Sequence, residues 1–257
     1  MRHYTANMQK GGAMVAECMA LLREWEPGTD PKDFAERVIR ENVIGKTSRS
    51  RVRDFLSRIF FRRFPPPVAD LLHELIATGI PERDLHQLML YQTALVDDLL
   101  YDFITQHLFP LYVQGRVHLD VTDAAEFIRG LIRQGQIDPP WSENIITKTG
   151  RGLLAACRDF GLLEGHGRKQ FRFVSLSEPV FLYVAYSLHD RGVGASQIFS
   201  HPDWKVFLLE EDQVERYFLA AHQSGGLKYE AAGGIRRIDW TWNDLRTCVR
   251  RLVEGAH

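Results

Sequence analysis

Apolar residues recur at helical spacing along most of the chain. Val52, Phe55, Leu56, Ile59 and Phe60, for example, stand at i, i+3, i+4, i+7 and i+8, which places them on one face of an α-helix. Only residues 170–176 and 227–240 alternate like strands, and the second stretch contains a Gly-Gly turn typical of a hairpin. The pattern predicts a mainly α protein with two short β-hairpins.

A strongly basic helix is predicted within residues 45–64. It follows a helix over residues 31–42, with Asp30 as N-cap and Pro31 at the first position, and a short turn at residues 43–47. Two helices joined in this way, with the second rich in Ser and Arg at its start, are typical of a helix-turn-helix. The candidate DNA-binding residues are Lys46, Ser48, Arg49, Arg51, Arg53, Arg58, Arg62 and Arg63. The alternative is a solvated helix whose Arg stems cover the edge of the core.

A second basic stretch lies in residues 142–176. Thr122 or Asp123 is predicted to cap a helix, and a short helix over residues 142–147, a longer one over residues 149–160 and a glycine-containing basic hairpin follow. This is the order of a winged helix-turn-helix. The candidates here are Lys148, Arg151 and Arg158 on the longer helix and Arg168, Lys169 and Arg172 on the wing. An ordinary helical hairpin followed by a β-loop is the alternative.

The chain is long enough for two helical subdomains. We predict an N-terminal helical domain over residues 1–115, which contains the basic helix-turn-helix, and a winged-helix-like C-terminal domain over residues 116–257. Three prolines at residues 65–67 are another candidate boundary. A helical period runs from residue 81 to about residue 108, with a break predicted near residues 91–93.

The net charge of −1 hides strong segregation along the chain. Residues 31–63 contain ten basic and four acidic residues, whereas residues 64–145 contain four basic and twelve acidic ones. Partner choice follows the local field rather than the total. The net charge and the acidic middle nevertheless argue against tight binding to nucleic acid.

No catalytic, metal or cofactor site is predicted. Gly45-Lys46-Thr47 is similar to the end of a phosphate loop, but Arg40 stands where the first glycine should be, and the motif follows a helix instead of a strand. Asp98 and Asp102 stand at i and i+4 and could ligate a metal. Since no third ligand is near in sequence, a solvated acidic face that also includes Asp97 is the favoured interpretation.

The remaining composition favours a reducing cytoplasm. Cys18, Cys157 and Cys248 are far apart, match no zinc spacing, and are interpreted as small core residues. The first residues lack the apolar core of a signal peptide, and no uncharged apolar run approaches the roughly 18 residues of a membrane span. We therefore expect a cytoplasmic protein that does not enter a membrane.

One set of residues points to a known family. It comprises the run Tyr4-Thr5-Ala6, then Lys10-Gly11-Gly12-Ala13, Glu17 and Trp25, followed by Asn42, Thr47, Arg51 and the basic helix. This set resembles the BrxA family, small core proteins of the bacteriophage-exclusion (BREX) defence systems. The resemblance implies an all-helical cytoplasmic protein without enzymatic activity of its own. It also implies binding of double-stranded DNA through helix-turn-helix elements, beside a separate methyltransferase and other BREX components.

We therefore predict a monomeric, non-enzymatic double-stranded-DNA-binding accessory protein of a BREX system. Binding is expected mainly through phosphate contacts, which position a protein on DNA without specifying sequence. No cofactor is expected, and other BREX components are the expected protein partners. The main alternative is an interaction scaffold whose basic helices dock acidic proteins. An RNA-binding module is the third hypothesis and an enzyme the last.

Overall fold

The computed structural model describes residues 2–10, 12–45, 48–232 and 235–255, and it confirms a mainly helical fold with two small antiparallel sheets. The helices of the first half are α1 (Val15–Glu24), α2 (Pro31–Glu41), α3 (Arg49–Phe55), α4 (Phe61–Arg63), α5 (Pro66–Ala77), α6 (Glu82–Val96), α7 (Asp98–Asp102) and α8 (Phe109–Val113). Those of the second half are α9 (Val121–Arg133), α10 (Glu143–Asp159), α11 (Glu178–Asp190), α12 (Ala195–Ile198), α13 (Glu211–Ser224) and α14 (Leu245–Gly255). Two π-helical turns, Leu56–Phe60 and Phe103–Leu108, join α3 to α4 and α7 to α8, and 3-10 turns occupy Asn7–Lys10 and Pro202–Phe207.

The strands form two separate sheets. The first contains β1 (His118–Leu119), β2 (Leu163–Glu164) and β3 (Lys169–Phe171), in the order β1-β3-β2, with Leu163 opposite Phe171 and His118 opposite Gln170. The second is the predicted hairpin of β4 (Leu227–Ala232) and β5 (Ile235–Trp240), whose Gly233-Gly234 turn lies outside the described residues. The first sheet therefore joins the segment before α9 to the hairpin after α10.

Capping residues predicted the start of α2 correctly and the start of α9 less well. The Asp30 side chain accepts from the backbone N–H of Lys32, and Pro31 begins α2, as the capping pattern predicted. The predicted cap of α9 is wrong by two to three residues, because Asp120 is the N-cap. Asp123 instead accepts from the backbone N–H of Asp120 and completes a capping box.

Three other predicted boundaries are corrected. The helices expected over residues 142–147 and 149–160 are one helix, α10. The break expected near residues 91–93 occurs at Asp97, whose side chain caps α7 by accepting from the backbone N–H of Leu100. The prolines at residues 65–67 separate two helices: α4 ends at Arg63, and Pro66 and Pro67 form the first turn of α5, where a missing N–H costs nothing. The extended run expected over residues 170–176 ends at Phe171, and Phe173 is 81% exposed.

A single cluster of buried apolar side chains runs from Met8 to Val249. It includes all three cysteines, as predicted, and burial raises the pKa of Cys18 to about 11. The division into domains at residue 115 stays a prediction.

A buried polar cluster lies around Asp203. Its carboxylate accepts hydrogen bonds from Tyr91 on α6 at 2.9 Å and from Tyr101 on α7 at 2.8 Å, and it is paired with Arg191 after α11. Because these groups come from elements far apart in sequence, the cluster ties residues before and after position 115 together.

Candidate nucleic-acid interface

The first basic element is α3. The hydroxyl of Ser48 accepts from the backbone N–H of Arg51 at 3.4 Å, so the predicted DNA-contacting serine acts as the N-cap of the helix. Arg49, Arg51 and Arg53 are exposed, and none of the three has a carboxylate within 4.0 Å in the part of the chain that the structure describes. Arg58 is held only loosely, 3.9 Å from the exposed carboxylate of Asp54.

The arginines of α3 point to two different sides of the helix. Arg51 and Arg58 line a cleft together with Asn7 and Met14 from the N-terminal segment. Arg49 and Arg53 line a groove between α3 and α2. This division follows from the helical spacing of the four arginines.

The end of this basic segment turns into the protein. Arg63 is only 7% exposed and donates to the carbonyl oxygen of Ala13 at 2.5 Å, and Arg62 donates to the carbonyl of Val96 at 3.1 Å. The burial of Arg63 could have been predicted from the sequence. Arg63 follows Leu56 by seven residues, or about two helical turns, and so lies on the apolar face of the helix. We leave Arg63 out of the candidate surface. Lys46 lies outside the described residues.

The second basic element is α10. Lys148 and Arg151 are exposed on it, one turn apart, so they share one side of the helix. Gly150 faces the other way, where a Cβ would lie 3.3 Å from Ala124 of α9. The close approach of α9 fixes which side of α10 is presented to solvent.

A buried lysine holds the turn of the hairpin after α10. Lys169 is 5% exposed, and its ammonium donates to the carbonyl oxygens of Gly165 at 2.6 Å and His166 at 2.5 Å. Burial and the charge of Arg158 lower the pKa of Lys169. Lys169 therefore holds the turn in place and is not free to contact a partner. Arg168, its neighbour, is exposed.

Arg158 and Arg172 lie at the opposite end of this hairpin. Both line a cleft with Glu82 and His86 of α6. Arg158 is bound to Asp159 at 2.6 Å, and Arg172 lies 3.8 Å from Glu164. These two predicted contacts are thus partly neutralised and separated from the turn that carries Arg168.

The N-terminal arm, residues 2–10, runs between the two basic elements. Asn7 lines the cleft with Arg51 of α3, and the 3-10 turn that begins at Asn7 packs against α10. A Cβ on Gly152 would lie 2.1 Å from the carbonyl oxygen of Met8. The arm therefore packs against α10 and shares a cleft with the Arg51 flank.

The arm is anchored by the acidic residues at the two ends of α7. Arg2 is 2.7 Å from Asp98 and 3.1 Å from Asp102, and the Tyr4 hydroxyl lies 2.7 Å from Asp102. The prediction of a solvated acidic face is wrong for Asp102, which is 1% exposed. Burial without a partner would be costly for a carboxylate, and the arm supplies the partners.

The acidic middle of the chain is largely occupied with internal contacts. Eleven of the twelve carboxylates of residues 64–145 have a hydrogen-bond or ion partner: Asp70, Glu74, Glu82, Asp84, Asp97, Asp98, Asp102, Asp120, Asp123, Glu126 and Glu143. Glu143, at the start of α10, lies 2.8 Å from Arg129. Most of these carboxylates therefore take part in contacts within the protein.

Two residues near the basic elements were missed by sequence reasoning. Asn7 reaches the Arg51 flank, and Arg116 lies in a small cleft with Arg168 while pairing with Asp123 at 3.1 Å. Both are more than 40 positions from the basic residue that they approach, and no periodic pattern links them. Only the folded chain brings them together.

The described residues contain neither a metal-binding cluster nor a membrane-spanning helix. Across the described ranges, no group of three or more His, Cys, Asp or Glu side chains is placed to hold a metal ion. None of the helices within those ranges has the length and apolar content needed to cross a bilayer.

Comparison with known proteins identifies the class. The family model for BrxA matches residues 2–186 of the 257, and the chain therefore belongs to the BrxA family. Membership makes it a component of a BREX phage-defence system. No curated protein matches the chain.

Proposed function

We propose that this protein binds double-stranded DNA without enzymatic activity of its own, as an accessory component of its BREX system. The observation that carries the proposal is a set of exposed cations that have no carboxylate within 4.0 Å among the described residues. They are Arg51 on α3, Lys148 and Arg151 on α10, and Arg168 on the hairpin turn.

The arrangement of the second half supports this function. The order α8, β1, α9, α10, β2, β3 with sheet order β1-β3-β2 is that of a winged helix. In that interpretation α10 is the recognition helix, and the turn at residues 165–168 is the wing. Helix-turn-helix proteins place the N-terminal part of the recognition helix in the major groove. Asn144, Lys148 and Arg151 are exposed along that part of α10.

In the first half of the chain, the Arg51 flank of α3 is the second part of the proposed DNA-binding surface. Arg51 and Arg58 lie on the side of α3 that faces the arm, whereas the C-terminal half of α10 is covered by Met8 and Gly12. A duplex that follows α10 towards the arm would therefore meet the Arg51 flank next. The contacts available are mostly guanidinium and ammonium groups, so phosphate binding with weak sequence preference is expected.

A gel-shift titration across a salt series tests the proposal. The probe is a duplex of about 30 base pairs, roughly three helical turns, with single-stranded DNA and RNA duplex as competitors. Replacing Lys148 and Arg151 by Ala should make the slope of log K against log salt shallower by up to about 2, since each neutralised phosphate contributes about 0.9. The control removes two cations outside the proposed surface, Lys228→Ala and Arg250→Ala, and should leave the slope unchanged. Equal slopes for both variants would contradict the proposal.

The competitor probes decide among the alternatives. Tighter binding to RNA than to duplex DNA would favour the RNA-binding hypothesis. Absence of salt-dependent binding to any nucleic acid would favour the scaffold.

A further inference from the structure

The groove between α2 and α3 has a composition unlike that of the proposed DNA surface. Its floor is apolar, formed by the half-buried Ala35, Ile39 and Phe61 and by the buried Leu56 beneath them. The cleft has a volume of about 560 Å³. Phosphate gains nothing from an apolar floor, whereas apolar side chains of a partner would be removed from water there.

The rim of this groove is cationic on both walls. Lys32 and Arg40 stand on α2, and Arg49 and Arg53 stand on α3, all exposed, while Glu36 is the one carboxylate in the lining. Arg40 pairs with Glu41 at 2.9 Å. The other three cations have no carboxylate within 4.0 Å among the residues that the structure describes. The rim is therefore complementary to a partner that carries negative charge on both flanks.

The spacing of the lining residues fits a helix. From Lys32 to Arg40, the α2 wall extends over eight residues, which is roughly 12 Å or about two helical turns. Arg49 and Arg53 stand at i and i+4 on the opposite wall. An amphipathic helix lays an apolar face with anchors at i, i+3, i+4 and i+7 into a groove of this kind.

The π-helical turn Leu56–Phe60 shapes the floor. The backbone N–H of Phe61 bonds to the carbonyl of Leu56, five residues back, and Phe61 packs edge-on against Trp25 and Phe34. Phe61 is thereby held half-buried at the groove instead of entering the core. π-Turns inside helices occur frequently at functional sites.

We infer that the α2–α3 groove docks an acidic amphipathic helix from a partner protein. This function goes beyond DNA binding and assigns the two flanks of α3 to two partners: the Arg51 flank to DNA, and the Arg49 and Arg53 flank to protein. Charge complementarity and the apolar floor together select this occupant over a nucleic acid.

The test uses fluorescence anisotropy with synthetic peptides and the full-length chain. The first peptide is helical, with Leu at i, i+3, i+4 and i+7 and Glu on both flanks. A second carries Lys in place of Glu, and a third carries Ser in place of Leu. We expect the protein to bind the first peptide and neither of the other two. Equal binding of the Lys peptide or of the Ser peptide would overturn it.

Matched variants on the two flanks locate the site. Arg49→Ala/Arg53→Ala should weaken peptide binding by about fivefold to tenfold, as expected for two rim ion pairs, and Ile39→Ala should weaken it by about threefold or more through the floor. Arg51→Ala/Arg58→Ala, with the same charge change, should leave peptide affinity unchanged. Equal loss in both double variants would overturn the assignment.

The same variants separate this inference from the proposed function. Arg51→Ala/Arg58→Ala should weaken duplex DNA binding, and Arg49→Ala/Arg53→Ala should affect it less. Peptide binding without DNA binding would leave the groove assignment standing and remove the proposed function. DNA that displaces the peptide through Arg49 and Arg53 would make the groove a nucleic-acid site and overturn the inference.

Discussion

The carbonyl oxygen of Met8 occupies the space that a side chain on Gly152 would need, because a Cβ there would lie 2.1 Å from this oxygen. The arm can cross α10 only where the helix has no side chain. Gly12 makes a similar approach, with its Cβ position 3.4 Å from Ala155. The route of the arm from α7 to α3 therefore depends on small residues of α10.

Replacing Gly152 by Ala should displace the arm. We expect the free energy of unfolding to fall by about 1–3 kcal/mol, the usual cost of overpacking, because the obstruction is backbone and cannot rotate away. Urea denaturation measures this. Gly167→Ala is the control: among the described residues, no atom lies within 4 Å of its Cβ position, and stability should change by less than about 0.5 kcal/mol. An equal effect of both changes would mean that the arm does not lie against Gly152.

Removing the Tyr4 hydroxyl should loosen the anchor of the arm. Tyr4→Phe takes one hydrogen bond from the buried Asp102, which keeps Arg2 and Gln106 as partners. We expect a loss of about 1 kcal/mol in unfolding free energy and faster hydrogen exchange within the arm. Tyr112→Phe is the control, because within the described ranges the Tyr112 hydroxyl has no hydrogen-bond partner. Unchanged exchange in the Tyr4 variant would argue against this anchor.

Two neighbouring cations of the hairpin should behave in opposite ways. Arg168→Ala should make the salt slope of DNA binding shallower by about 0.9 and leave stability unchanged, because Arg168 is exposed. Lys169→Met should hardly change the slope but should lower unfolding free energy by about 1–3 kcal/mol, since the Gly165 and His166 carbonyls lose a charged donor. Binding across a salt series and urea denaturation of both variants measure the two effects. A larger slope change for Lys169 than for Arg168 would reverse the two roles.

Asp203 should make stability sensitive to acid. Burial by itself would raise the pKa of this carboxyl, but the hydrogen bond with His201, the charge of Arg191 and the hydroxyl of Tyr101 outweigh it and hold the pKa below its ordinary value. A carboxyl whose pKa is lower in the folded state than in the unfolded state stabilises the folded protein. This contribution is fully present above the unfolded-state pKa of about 3.9 and is lost as the pH falls below that value.

Asp203→Asn should therefore lower the free energy of unfolding by about 2–4 kcal/mol near pH 7. The difference in unfolding free energy between this variant and the unmodified protein should become smaller below about pH 4. Denaturation at both pH values measures this. Asp212→Asn removes an exposed partner of Arg216 and should cost under about 1 kcal/mol at either pH. A pH-independent difference for Asp203→Asn would show that its ionisation is not what stabilises the fold.

The sequence by itself determined the helical class, the start of α2 and the spacing that places arginines on two sides of α3. These features depend on contacts between residues three or four apart, which the apolar period records directly. The N-cap at Asp30 and the β4–β5 hairpin were likewise readable from local residue types. So was the burial of the three cysteines.

The tertiary structure alone decided which charged residues are available to a partner. Arg63, Lys169 and Asp102 are residue types that usually lie at the surface, yet all three are buried. Arg63 and Asp102 contact segments that are distant in sequence, and Lys169 contacts a tight turn. Desolvating a charge is tolerated only where a specific partner meets it, and the position of that partner depends on long-range packing. For the same reason, only the folded chain shows that the arm packs against α10, because no periodic pattern encodes the contact of Met8 with Gly152.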